Sequence, residues 1–205
     1  IQTIALTKKF DQLRALDAVE LNLTKGGIHA LVGSNGSGKS TLMRLIAGVY
    51  SPDEGQLLIG GQEAYDCPAV KQRVFFLPDT PSFFRNATVL TMADFYRRLY
   101  PNFSMELMEK CLACFEMTSD VNLGALSMGQ KKKVYMCIAL AANTPYLFMD
   151  EPTNGLDILS KSQFRKAIVT AMSPEKTIIV STHQVHDVER VLDHVVIIDR
   201  NRVLL

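Results

Sequence analysis

Eight residues, Gly33-Ser34-Asn35-Gly36-Ser37-Gly38-Lys39-Ser40, constrain this chain more than any other stretch. They match GxxxxGK[ST], follow the apolar run IHALV and precede TLMRLIAG, whose apolar residues recur at helical spacing. A Gly-rich loop in that setting turns successive backbone N–H groups inward onto phosphate oxygens, and the helix N-terminus adds partial positive charge. Lys39 supplies a point charge for the β- and γ-phosphates, Ser40 a hydroxyl ligand for Mg²⁺, and Thr41 a further hydroxyl contact to phosphate.

The rest of the chain supports such a loop. The runs Ile28–Val32, Val74–Leu77, Tyr146–Met149, Thr177–Val180 and Val195–Ile198 are short, continuous and rich in β-formers, as in parallel strands covered on both faces. Residues 38–48, 128–142, 160–172 and 185–192 between them read as helices. Val19, Leu21 and Leu23 alternate with polar residues, and QLLIGGQ (56–62) ends in a Gly-Gly turn, so the early segments read as an antiparallel sheet. Residues 81–125 carry a helical pattern broken at Pro101-Asn102. The expected fold is α/β: a P-loop NTPase parallel-sheet core (1–80 and 126–205), an N-terminal antiparallel β subdomain and an inserted α-helical subdomain (81–125).

Composition excludes several alternatives. The 205 residues carry 22 Lys+Arg against 21 Asp+Glu, a net charge of +1, so no bulk electrostatics favour a nucleic-acid partner and none is expected. Mean hydropathy is +0.09, and no run reaches the ~18 apolar residues of a membrane span. The opening IQTIALTKKF has no basic stretch followed by an apolar one, so no secretory signal is expected. The chain ends on the strand-like NRVLL, beyond which a short tail is expected. Cys111 and Cys114 form a lone CxxC with no partner pair, read as two apolar residues on a helix face. The run Lys131-Lys132-Lys133 reads as a solvated face or a phosphate contact, and His29, His186 and His194 receive no role.

A second half of a nucleotide site follows Tyr146–Met149. That apolar strand ends in Asp150-Glu151, and in a parallel sheet its carboxyl end opens beside the phosphate loop. Asp150 can hold Mg²⁺, directly or through water, while Glu151 is placed to orient and deprotonate an attacking water.

Further motifs carry a family resemblance. Leu126-Ser127-Met128-Gly129-Gln130, before a helix-patterned stretch, resembles LSGGQ, the signature sequence of ATP-binding cassette ATPases. Pro152-Thr153-Asn154-Gly155-Leu156-Asp157 resembles the family's D-loop, and Ser181-Thr182-His183 its switch histidine. The resemblance covers essentially the whole chain. It implies an ATP- and Mg²⁺-dependent ATPase subunit whose site is completed by a second cassette, identical or paralogous. Ser127, Met128, Gly129 and Gln130 would then contact the ATP on the partner's phosphate loop. It implies His183 at the γ-phosphate, Phe10 stacked on adenine and a separate transmembrane permease docked near the helical block, along the aromatic stretch 81–85. The subunit would sit on the cytoplasmic face of the membrane and most resembles bacterial efflux subunits. The same resemblance admits a soluble cassette remodelling nucleic acid or ribosomes, or an ATP-gated regulatory module with little hydrolysis. Two positions depart from the pattern. Asp79 stands where the family has a glutamine that contacts Mg²⁺ and water, and is kept as a metal candidate. Met128 replaces a glycine with a bulky side chain.

Overall fold

The computed structural model describes residues 1–80 and 82–204. Pro81, where the expected helical block and aromatic stretch begin, and Leu205 of the strand-like finish lie outside them. In chain order the elements are β1 (Gln2–Phe10), β2 (Leu13–Asn22), β3 (Gly27–Val32), α1 (Lys39–Ile46), β4 (Glu54–Ile59), β5 (Gln62–Glu63), α2 (Pro68–Lys71) and β6 (Val74–Leu77). They continue as α3 (Val89–Leu99), α4 (Met105–Cys114), α5 (Met128–Ala141), β7 (Tyr146–Asp150), α6 (Ile158–Ala171), β8 (Thr177–Thr182), β9 (His194–Asp199) and β10 (Arg202–Val203).

The early strands form an antiparallel sheet in the order β2-β1-β4-β5. The later ones form a second sheet, β10-β9-β3-β8-β7-β6, in which all pairings are parallel except β10 with β9. Successive side chains of the inner strands serve opposite faces, because the side-chain period of a strand is two. Leu147 and Met149 of β7 join a core with α3, α4, α5 and α6, whereas Tyr146 and Phe148 join one with α1 and the antiparallel sheet. Ile178 and Val180 of β8 divide from Ile179 in the same way. Burial on both faces explains why these strands read as unbroken apolar runs.

Two expectations need correction. The spacing of Val185, Val188, Val191 and Leu192 suggests a helix over 185–192, but the segment makes two 3-10 turns, Val185–Asp187 and Glu189–Val191. Val188 between them has φ −126°, outside the helical region, and is fully buried. Val188, with the partly buried Val191 and Leu192 packed against the same core, satisfies the apolar pattern without a continuous helix. The second correction is β9, which is not covered on both faces. Val195 and Ile197 are exposed while Val196 and Ile198 are buried.

The CxxC cysteines sit in α4 as free thiols, buried with Cys137 of α5. Burial pushes the Cys111 thiol up to about 12, so it is protonated and inert at neutral pH.

Candidate active site

Strand register assembles the site. Val32 at the end of β3 pairs with Thr182 of β8, and Ser181 of β8 pairs with Asp150 of β7. Gly33, Glu151 and His183 therefore leave the sheet at one edge, the carboxyl ends where α/β sheets bind ligands.

The phosphate loop is tightly built around two glycines. A Cβ on Gly33 would lie 2.3 Å from the Ile198 carbonyl oxygen and 2.5 Å from Ser37 Oγ. Gly38 has φ +104°, and a Cβ there would meet the Ala15 carbonyl at 2.7 Å. Ser37 N–H donates to the Ser34 carbonyl at 3.2 Å, which closes the turn. Gly38 is also the N-cap of α1, and no side chain caps that helix, so its first-turn N–H groups are left for an anion. Ser37 Oγ is buried without a hydrogen-bond partner, an orphaned hydroxyl within the loop. Lys39, 5% exposed, donates to the carbonyls of Gly33 (2.9 Å) and Ser34 (3.0 Å).

A cavity of about 320 Å³ opens over this loop. Asn35, Gly36, Gly38, Lys39, Ser40 and Thr41 of the loop and helix line it, together with Glu151, Phe10, Leu13, Ala15 and Asn201. Phe10 is half-exposed and packs edge-on against Tyr50, with ring centroids 5.5 Å apart. An aromatic face lining a phosphate cavity is suited to a nucleobase. Leu13, Ala15 and Asn201 carry no sequence motif and become visible only when β2 and the β9–β10 turn meet the loop.

The carboxylates occupy distinct environments. Asp150 is buried, and its Oδ1 accepts from Ser40 Oγ at 2.9 Å and Ser181 Oγ at 2.6 Å. No cluster of three or more His, Cys, Asp or Glu exists among the described residues. One carboxylate and one hydroxyl beside a phosphate site still fit Mg²⁺, which keeps waters and shares substrate phosphates rather than filling an all-protein cage. Glu151 has φ +46°, the left-handed region that is unfavourable for a residue with a Cβ. Its N–H is held by the Ser181 carbonyl and hydroxyl oxygens, each at 3.1 Å. Its carboxylate lies between two cationic or donor groups, with Lys39 Nζ 3.7 Å from Oε1 and His183 Nδ1 2.9 Å from Oε2. Gln184 Nε2 lies 3.1 Å from His183 Nε2. Both ring nitrogens of His183 therefore have a hydrogen-bonding neighbour, Glu151 at Nδ1 and Gln184 at Nε2.

Three comparisons with known proteins bear on this arrangement. The family model described as ABC transporter matches residues 16–154. The chain is 30% identical to the ABC transporter ATP-binding protein YtrB of Bacillus subtilis, over 98% of this chain and 69% of the relative. It is also 30% identical to the SkfA peptide export ATP-binding protein SkfE of the same organism, over 97% of this chain and 84% of that one. The chain belongs to the ABC transporter family. Among solved structures, the ATP-binding subunit of an ABC transporter matches with a TM-score of 0.87 at 26% identity, covering all of this chain and 88% of that one. ABC cassettes of this family bind and hydrolyse ATP, and this chain is an ABC transporter ATP-binding subunit with that activity. Among the described residues, no helix is long and apolar enough to cross a membrane.

The signature-like stretch Leu126–Gln130 lines a different cavity from the phosphate loop. Ser127 caps α5: its Oγ accepts from Gln130 N–H at 3.2 Å, and Gln130 Oε1 accepts from Ser127 N–H at 3.0 Å. Met128 is 59% exposed, and nothing lies within 4 Å of a Cβ placed on Gly129. Both line a second cavity, with Asp79, Thr80, Lys132, Asn154 and Gly155, that shares no lining residue with the first among the described residues. Asp157 of the D-loop caps α6, accepting from Ser160 N–H at 2.7 Å. That backbone N–H holds its carboxyl below the usual aspartate range.

Asp79 is not brought to Ser40 and Asp150. Its carboxylate Oδ1 accepts from Lys132 Nζ at 2.8 Å. Lys132 is thus not part of a solvated face. It is 8% exposed and donates also to the carbonyls of Glu151 (3.0 Å) and Asn154 (2.9 Å). Lys133 likewise folds inward, donating to Gln163 Oε1 at 3.3 Å.

Proposed function

We propose that this subunit hydrolyses ATP in a head-to-tail sandwich with a second cassette, identical or paralogous, and drives a separate transmembrane permease. The observation that carries the catalytic part is the Glu151 carboxylate between Lys39 and His183 in the lining of the phosphate cavity. Phosphates lie on the loop from Gly33 to Thr41, with Ser34, Asn35, Gly36 and Gly38 directing backbone N–H groups at their oxygens while the Ser37 N–H closes the turn. The base stacks on Phe10. Glu151 takes a proton from the attacking water as its oxygen bonds the γ-phosphorus and the bond to the β–γ bridging oxygen breaks. Lys39 and His183 balance charge on the transferring phosphoryl group. Bound Mg²⁺ supplies charge neutralisation at the β- and γ-oxygens, and Ser40 and Asp150 would hold it.

The signature residues Ser127 to Gln130 serve the partner's nucleotide in this reading. Among the described residues, Met128 and Gly129 line a cavity that shares no lining residue with the phosphate cavity of the same chain, which supports that. The permease docks on the helical block 81–125. There a groove of about 620 Å³ is lined by Phe84, Leu90, Phe95 and Met105, with Asp94 and Arg98 at its polar edge. Phe84 and Leu90 are exposed, an apolar patch of the kind that marks a protein contact. The likeness to SkfE along most of its length supports export, with the subunit on the cytoplasmic face of the membrane.

The test is ATP hydrolysis by Glu151→Gln. The amide keeps the size and cannot take the proton, so turnover should fall by about a hundredfold or more while nucleotide affinity holds. Turnover equal to wild type would remove Glu151 from its role.

A further inference from the structure

We propose that Lys132, held by Asp79, is a positioning residue for Glu151, and that this charge pair takes over the place of the glutamine that Asp79 replaces. The inference rests on Glu151 being the water-activating base.

The geometry is that of a hub. An ammonium has three N–H donors and no acceptor, and each donor of Lys132 has a partner: Asp79 Oδ1, the Glu151 carbonyl and the Asn154 carbonyl. Lys132 lies one turn into α5, the helix that begins at the signature. Asp79 follows the end of β6, Glu151 follows β7, and Asn154 lies in the turn that leads to Asp157. One side chain thus fixes the signature helix to three loops at the site's edge.

The bond to Glu151 is the informative one. Glu151 sits at φ +46°, a conformation that persists only when its surroundings hold it. Ser181 holds the N–H side of this residue, and Lys132 holds the carbonyl side. Without Lys132, the Glu151 peptide is free to relax, and its carboxylate moves off the line between Lys39 and His183. Asp79 has the complementary task. Among the described residues it is the one carboxylate paired with Lys132, so it fixes the ammonium where its other two donors reach the two carbonyls. It also follows that Asp79 contributes a counter-ion to Lys132 rather than a ligand to Mg²⁺.

Steady-state ATP hydrolysis, magnesium titration and binding of a fluorescent ATP analogue test this on the intact chain. Lys132→Met should lower kcat by about tenfold, with KM and analogue affinity within about twofold of wild type. Lys132→Arg, which can still reach Asp79 and a carbonyl, should recover part of that loss. Asp79→Asn should leave the magnesium concentration for half-maximal rate unchanged, and added to Lys132→Met it should cost less than the product of the two single effects. Wild-type kcat in Lys132→Met, independent effects in the double variant, or a tenfold shift in magnesium requirement for Asp79→Asn would each overturn the proposal. If Lys132→Met fails to bind the analogue, Lys132→Arg decides: reduced kcat with normal affinity supports the pair, and full activity with Asp79→Asn also fully active overturns it. Glu151→Gln is measured alongside. If it is active, the base assignment fails and this inference with it. If it is inactive beside a wild-type Lys132→Met, the positioning role alone fails.

Discussion

The N-termini of α1 and α5 both carry motifs to which the proposed function assigns a phosphate, yet they are prepared in opposite ways. α1 begins after Gly38, with no side chain on its first-turn N–H groups and a lysine folded against its own loop. α5 begins with a closed capping box, in which Ser127 and Gln130 already satisfy each other's backbone N–H groups. The first is an anion site whose donors are free and rigidly aimed. The second is a helix end with two N–H groups, those of Ser127 and Gln130, already satisfied, which leaves the Met128 and Gly129 N–H groups and the Ser127 hydroxyl proton for an anion. A ligand at α1 meets a helix start with no side-chain cap, whereas a ligand at α5 shares its helix start with two capping hydrogen bonds, each worth about 0.5–1.5 kcal/mol net. This asymmetry suits a cycle in which nucleotide binds one cassette first and the signature engages only on closure.

The strongest way to break the comparison is Lys39→Ala. Removing the point charge from the open site should weaken binding of a fluorescent ATP analogue by about a hundredfold and abolish measurable hydrolysis. The melting temperature without nucleotide should stay close to wild type, since among the described residues the polar partners of the Lys39 ammonium are two loop carbonyls and the Glu151 carboxylate. Analogue affinity within about threefold of wild type would show that the free N–H groups of α1 suffice, and that the lysine is not what distinguishes the two helix starts.

Ser127→Ala should give the inverse pattern. Loss of the cap costs about 1 kcal/mol of stability, and turnover should fall about tenfold because the hydroxyl is lost to the partner's nucleotide. Analogue binding to dilute protein should not change. An affinity loss as large as that of Lys39→Ala would place Ser127 at its own chain's nucleotide and dissolve the contrast.

How much of this was legible in the sequence differs between the two helix starts for a physical reason. The phosphate loop is local: eight consecutive residues contain the turn, the charge and the hydroxyl, and the flanking strand and helix announce their own periods. Asp150 and Glu151 were legible because a strand buried on both faces leaves an apolar run that stops where the strand stops. What the sequence concealed was pairing over long separations. Nothing in KKK distinguishes a buried lysine from a solvated one, and only the fold brings Lys132 within 2.8 Å of Asp79. β1 escaped because Ala5 at φ +46° and register shifts against β2 break its alternation. The segment 185–192 misled because Val188, with Val191 and Leu192 packed against the same core, imitates a helical stripe.

The smallest effect comes from a third helix start, which sharpens the contrast by standing between the other two. α6 is capped by Asp157, whose carboxylate accepts from Ser160 N–H at 2.7 Å. The cap is charged, unlike that of α5, and present, unlike that of α1. That hydrogen bond lowers the Asp157 pKa below its unfolded value, so folding is favoured by the ionised form. The contribution is complete above the unfolded pKa of about 3.9 and is lost as pH falls through the lowered folded value. Asp157→Asn preserves an N-cap acceptor and removes only the charge. Its melting temperature at pH 7 should therefore lie about one to three degrees below wild type. The gap should close as pH falls below 4, because wild type then loses the charge that the variant never had. A gap that stays constant from pH 7 to pH 3 would mean that the carboxylate caps α6 by shape alone, and that the order of the three helix starts reflects hydrogen bonding without electrostatics.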